Sequence, residues 1–215
     1  MRSSTLLLVS FVLLLTLPVS TAWSQQEDSD VLLQEEMQDY FAKWLKEDVV
    51  WIISPDEKKI FENLQTDEEK EQFIEQFWHR RDPDLMTANN EFKEEHYRRI
   101  AYTMERFSSG APGWKTDRGR IYIMHGAPDH IEPHPSGGTY ERSIYEGGGF
   151  TATYPFEVWR YRYIEGIGSD IELEFVDPSW SGEYRLAADP DEKDSFAHVP
   201  TLGDTLDEQD GLMSK

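Results

Sequence analysis

The stretch from Pro112 to Asp129 reads PGWKTDRGRIYIMHGAPD, and the reading of the whole fold turns on it. Ahead of it apolar residues recur at helical spacing, and behind it they come in short β-branched and aromatic runs. Within it, Pro112-Gly113 turns the chain, and Trp114 offers a large apolar plate able to seal a gap between helix and sheet. Thr116 and Asp117 can each accept a hydrogen bond from a backbone donor two residues on, a turn that would launch a strand from Gly119 to His125. Gly113, Trp114, Thr116, Asp117, Arg118 and Gly119 are therefore the candidate site, read as a structural joint, with ligand binding as the alternative.

Working back toward the N-terminus, Asn90 to Phe107 carries Phe92, His96, Ile100, Met104 and Phe107 at the helical period, closed by Ser108-Ser109-Gly110. Thr66-Asp67-Glu68-Glu69 and Ser54-Pro55-Asp56-Glu57 each place a hydroxyl three residues before a glutamate, the pattern that opens a helix. Phe73, Ile74, Phe77 and Trp78 form the inner face of the first of these helices, and Asp82-Pro83 stops it. Val49 to Ile53 is too short for periodicity to decide between strand and buried turn, and Val31 to Glu47 is an amphipathic helix. Toward the C-terminus, Phe156–Tyr163 and Ile171–Val176 read as strands, Pro133–Gly149 as a mobile glycine-rich insertion, and the acidic segment from Ala188 as a loosely held tail anchored near Phe196 and Val199.

The ends and the charge set the setting. Arg2, the apolar run Leu6–Leu17, Pro18 and the small residues Ser20 and Ala22 form an export signal, cleaved after Ala22 or, second, after Ser24. A retained anchor is disfavoured because the apolar run falls short of the roughly 18 to 20 residues a membrane span needs. There is no cysteine, which removes lipidated export, disulfides and thiol chemistry. The formal charge of −21 becomes −22 once the signal takes Arg2 with it, a surface that repels nucleic acid and anionic lipid.

The sequence also resembles the bacterial GWxTD-domain proteins. Gly113-Trp114-Lys115-Thr116-Asp117 is their signature, and the likeness extends through Phe77–Pro83, Asn90-Glu91-Phe92, Gly119–Ile123, Gly126–Asp129 and Val158–Tyr161, over roughly Trp44 to Leu186. The resemblance implies an exported protein and assigns no catalytic residue, cofactor or ligand.

The residues offer other chemistries. His125, His130 and His134 are a candidate metal cluster with Asp129 or Glu132, although the spacing matches no helical pair of ligands and three prolines stiffen the segment. Asp189, Asp191 and Asp194 imitate a calcium loop, but Lys193 interrupts the pattern. No nucleophile elbow or phosphate loop occurs. Arg80, Arg81, Arg98, Arg99, Arg118 and Arg120 could bind an anion if they cluster, against the default of internal pairing. Asp117, Asp129 and Glu157 could pair for acid–base work, and Trp180 with Tyr184 could stack on a sugar.

The resulting expectation is an α+β protein, an N-terminal helical layer followed by a small, mainly antiparallel β-sheet. It divides into a signal (1–22), a domain (23–187; helical 31–107, β-rich 118–187) and an acidic tail (188–215). It is expected to act as a non-catalytic interaction or scaffolding module with an envelope or secreted protein partner. A histidine-loop metal protein or hydrolase is the alternative and a glycan-binding module the third. No metal, no cofactor, no nucleic-acid partner and no stable membrane insertion after cleavage are assigned.

Overall fold

The computed structural model describes residues 20–195. Most of the expected signal, together with Phe196 and Val199, lies outside them. The architecture is α+β: five α-helices precede antiparallel sheets of four and two strands among the described residues. The chain divides between Lys43 and Trp44 into two units. The first carries α1, Ser20–Lys43, with Leu32, Leu33 and Tyr40 exposed along it. No helix among the described residues is long and apolar enough to cross a membrane.

In the second unit, a π-helical turn at Trp44–Asp48 buries Trp44. Val49–Ile53 is a turn, tied back by Ile52 and Ile53 N–H bonds to the Val49 carbonyl. Helices α2 (Pro55–Asn63) and α3 (Asp67–His79) both open with complete capping boxes, Ser54 with Glu57 and Thr66 with Glu69. Each box satisfies two helix-end N–H groups locally, so Ser54→Ala and Thr66→Ala are each expected to lower stability by about 1 kcal/mol in urea unfolding. The apolar faces meet on Trp44, whose ring lies 4.9 Å from Phe61 and 5.2 Å from Phe77.

Arg81 closes this helical core. Its guanidinium lies 3.6 Å above the Phe77 ring and grips Glu57 with both forks, at 3.1 and 2.7 Å, while Arg80 reaches the same carboxylate at 3.0 Å. Partial burial alone would raise the Glu57 pKa, but the two arginines and the Ser54 N–H hold it down, to about 2. The unfolded chain, with a carboxyl near 4.5, takes up this proton first, so the contribution of Glu57 is complete above pH 4.5 and fades as pH falls toward 2. Denaturant midpoints measured across that window should fall in the wild type, and Glu57→Gln should start lower and lose the part of the slope that Glu57 supplies.

Helix α4 spans Glu91–Arg106 and is capped by Asn90, whose side chain accepts from the Lys93 N–H at 2.8 Å. His96 is buried among Trp78, Phe92 and Tyr97 and contacts the Asp48 carbonyl at 2.6 Å. Burial, with Arg99 nearby, pushes its pKa below the usual imidazole value.

One sequence expectation is overturned here. The segment read as a strand, Gly119 to His125, belongs to helix α5, Asp117–His125. Thr116 is its N-cap, accepting from the Gly119 N–H at 3.0 Å, and Gly126 at φ +83° closes it. The bond reaches three residues on, not two. Local capping at both ends, joined to burial of Ile121 and Ile123, outweighs the β preference of the side chains.

The main sheet runs β1 (His130–His134), β4 (Phe156–Ile164), β5 (Gly168–Val176) and β6 (Arg185–Leu186), all antiparallel. Between β1 and β4 the chain forms a hairpin of β2 (Gly138–Glu141) and β3 (Phe150–Thr153) around a short 3-10 turn, Ile144–Glu146. The expected glycine-rich insertion is thus largely this hairpin. Because side chains alternate along a strand, Trp159, Tyr161, Leu173 and Phe175 face one side. There they pack with Phe107 and Ile121 in a single core. The opposite side carries Glu132, Phe156, Val158, Arg160, Glu172, Glu174 and Val176.

The start of the expected loose tail is held. The Tyr154 N–H bonds to the Lys193 carbonyl at 2.8 Å, the Ser195 N–H bonds to the Ala152 carbonyl at 2.9 Å, and Arg142 pairs with Asp194.

Candidate functional site

The quoted motif is a contact between three elements. Gly113 opens a 3-10 turn pressed onto α4: a Cβ there would stand 1.8 Å from the Thr103 carbonyl oxygen. Gly119, on the first turn of α5, is as confined, since its Cβ would meet the Gly113 carbonyl oxygen at 1.9 Å. Thr116 lies between them, 5% exposed, and its hydroxyl donates to the Gly113 carbonyl at 2.8 Å while accepting from Gly119. Trp114 is buried, and its carbonyl accepts from the Trp51 indole N–H at 2.8 Å.

The charged members reach the sheet. Asp117 accepts from the Leu186 N–H of β6 at 2.8 Å and pairs with Arg120 at 3.3 Å. Arg118, 8% exposed, crosses the joint: it donates to Glu157 at 3.0 Å and to the Gly182 carbonyl at 3.1 Å. Its guanidinium lies 4.9 Å from the Phe107 ring and 4.1 Å from that of Tyr184. Glu157 in turn accepts from the Trp159 indole at 3.0 Å. All six candidate residues therefore meet in one place, and each touches another element of the fold.

The other candidates separate. His125 ends α5, and its pKa is lowered by burial and by Arg99. His130 and His134 start and end β1, about 13 Å apart by strand rise. His134 stacks on Phe156 at 4.1 Å and contacts Glu132 at 3.2 Å. Among the described residues no group of three His, Asp or Glu side chains stands close enough to hold a metal ion. The arginines do not form an anion site: Arg80 and Arg81 bind Glu57, Arg98 and Arg99 bind Glu95, Arg118 binds Glu157 and Arg120 binds Asp117. Asp117, Asp129 and Glu157 each engage a different arginine, Asp129 taking Arg162 at 2.6 Å. Trp180 is exposed at φ +57°, on a loop that Asp177 pins through the Ser181 and Gly182 N–H groups, whereas Tyr184 is taken up by Arg118.

Sequence reasoning missed one cluster. Lys193, 2% exposed, donates to Glu146 and Glu174 at 2.8 Å each and to the Pro190 carbonyl at 2.9 Å, above the buried outer-face residue Phe156. Burial would lower its pKa, but the two carboxylates raise it. Burial also pushes the Glu174 carboxyl up despite the lysine, whereas Lys193 and Ser143 together hold Glu146 at about 2 against burial. This cluster borders a cavity of about 630 Å³ on the outer face of the main sheet. A lysine amid aspartates carried no local signal of burial; the alternation in β5 that puts Glu172 and Glu174 on one face was the available hint.

The GWxTD domain model matches residues 37–157, more than half of the chain. No curated protein and no solved structure matches it.

Proposed function

The chain belongs to the GWxTD-domain family, and on that premise we propose that it is an exported, non-catalytic module that binds or scaffolds another envelope or secreted protein. The observation that carries the reading is the use made of the family motif. The side chains of Asp117 and Arg118 are bonded to groups elsewhere in the fold, that of Thr116 ties Gly113 to Gly119 within the motif, and the two glycines let the 3-10 turn pack closely against α4 and α5. A motif so engaged holds a scaffold in shape for surfaces elsewhere on it. Export rests on the N-terminal sequence, with its basic start, apolar run and small residues before Ser24.

The test is photo-crosslinking in the producing cell, with a benzophenone side chain placed in turn at the exposed positions Met86, Tyr145 and Trp180. A discrete adduct from at least one position in the envelope or secreted fraction is expected. Absence of adducts from all three, or saturable substrate turnover by the purified protein, would overturn the reading.

A further inference from the structure

The outer-face cavity and the hairpin beside it join two features of opposite character. Among the side chains lining the cavity, Glu132, Glu146, Glu172, Glu174 and Asp189 are acidic and only Arg160 is basic. Arg160 is already held by Glu132 at 3.0 Å and Glu172 at 2.7 Å, and Lys193, below, is taken by Glu146 and Glu174. The cavity therefore keeps an excess of negative charge after its internal pairs are formed. The Glu172 side chain is 62% exposed, so its carboxylate is open to a visiting donor.

The hairpin beside it is apolar at its tip. Tyr145 lines the cavity and is fully exposed, and on the same hairpin Ile144 in the 3-10 turn and Phe150 at the start of β3 are 92% and 73% exposed. Gly147, Gly148 and Gly149 all have positive φ, and no atom would lie within 4 Å of a Cβ on any of them. Three large apolar side chains are thus exposed on the hairpin that borders the acidic cavity, and one of them, Tyr145, lines it.

We propose that this cavity and hairpin tip are the docking surface for a polypeptide segment that presents a lysine or arginine beside an apolar side chain. The inference rests on the interaction reading above and gives that reading a place and a partner chemistry. The basic group enters the cavity, where Glu172 accepts its hydrogen bonds and the Tyr145 ring offers its face to the cation. The flanking apolar side chain packs on Ile144 and Phe150. Charge complementarity selects this occupant: an anionic membrane is repelled by the same carboxylates, and a free small cation leaves the apolar tip uncovered.

The test is selection by the full chain from a phage-displayed library of random peptides, followed by titration of the selected peptides. Selected sequences should carry lysine or arginine next to leucine, isoleucine or phenylalanine. Replacing the basic residue by citrulline or norleucine should weaken binding at least about tenfold. Glu172→Gln and Tyr145→Ser, both exposed positions, should each weaken it by roughly the same factor, and added salt should weaken it further.

Peptides lacking a basic residue, binding unchanged by either variant, or no selected peptide at all would each overturn the proposal. So would Tyr145-dependent binding of phosphatidylcholine vesicles, which makes the tip a membrane contact. In any of these cases cross-links from Met86 or Trp180 would leave the interaction reading intact. Loss of cross-links from every position would remove both.

Discussion

Gly119→Ala is expected to destabilise the protein by on the order of 4 kcal/mol, a large share of the roughly 5–15 kcal/mol that holds a domain of ordinary stability. The atom in the way is a backbone oxygen, the Gly113 carbonyl at 1.9 Å from the added Cβ, and it is itself fixed by the Thr116 hydroxyl. No rotamer change relieves that overlap; α5 must move off the 3-10 turn. Gly113→Ala should act alike, because its Cβ meets the Thr103 carbonyl at 1.8 Å. Gly110→Ala is the control: its φ is +72° but nothing lies within 4 Å, so only the strain of a left-handed residue applies, about 1 kcal/mol. Guanidinium unfolding of the three variants would separate steric contact from conformational strain. Equal losses at positions 110 and 119 would contradict the close packing described for the motif.

Lys193→Met is expected to cost about 3 kcal/mol, since it leaves two carboxylates near buried apolar surface without their common cation. The loss should depend on pH. With burial already raising its pKa, Glu174 without the lysine favours the protonated form in the folded state more than in the unfolded chain. Stability linked to that proton is present at low pH and lost as pH rises through the folded-state pKa, so the deficit of the variant should narrow on acidification. Adding Glu174→Gln to Lys193→Met should recover part of the loss at neutral pH, a coupling that a double-mutant cycle measures directly. A deficit independent of pH and unchanged by the second substitution would mean that Lys193 acts through packing alone.

The features legible in the sequence were those written within a few residues. The boxes at Ser54 and Thr66 were readable because cap and glutamate stand three positions apart and answer each other. The same grammar was present at Thr116-Asp117 and His125-Gly126, yet the β-branched content of Ile121 and Ile123 suggested a strand between them. A nine-residue segment holds too few periods for apolar spacing to arbitrate, and there the caps were the better guide.

The candidate site was legible as a group, but the reasons for its members were not. Asp117 answers to Leu186, 69 positions on, and Arg118 to Gly182, 64 positions on. Such partners become neighbours only after the sheet closes. Lys193 was hidden for the same reason, its partner Glu174 lying 19 positions upstream in a strand whose facing depends on register.

The strap from Lys193 to Ser195 bears on where this domain can be cut. Composition turns acidic near Ala188, and a minimal fragment drawn by that criterion would end at residue 187. It would keep every residue of the motif and all six strands. It would also take Lys193 away from the Phe156 ring and leave the edge of β3 bare, where Ala152 now bonds to Ser195. A bare strand edge is a template for self-association. A fragment that keeps these bonds extends into the acidic segment, through Ser195.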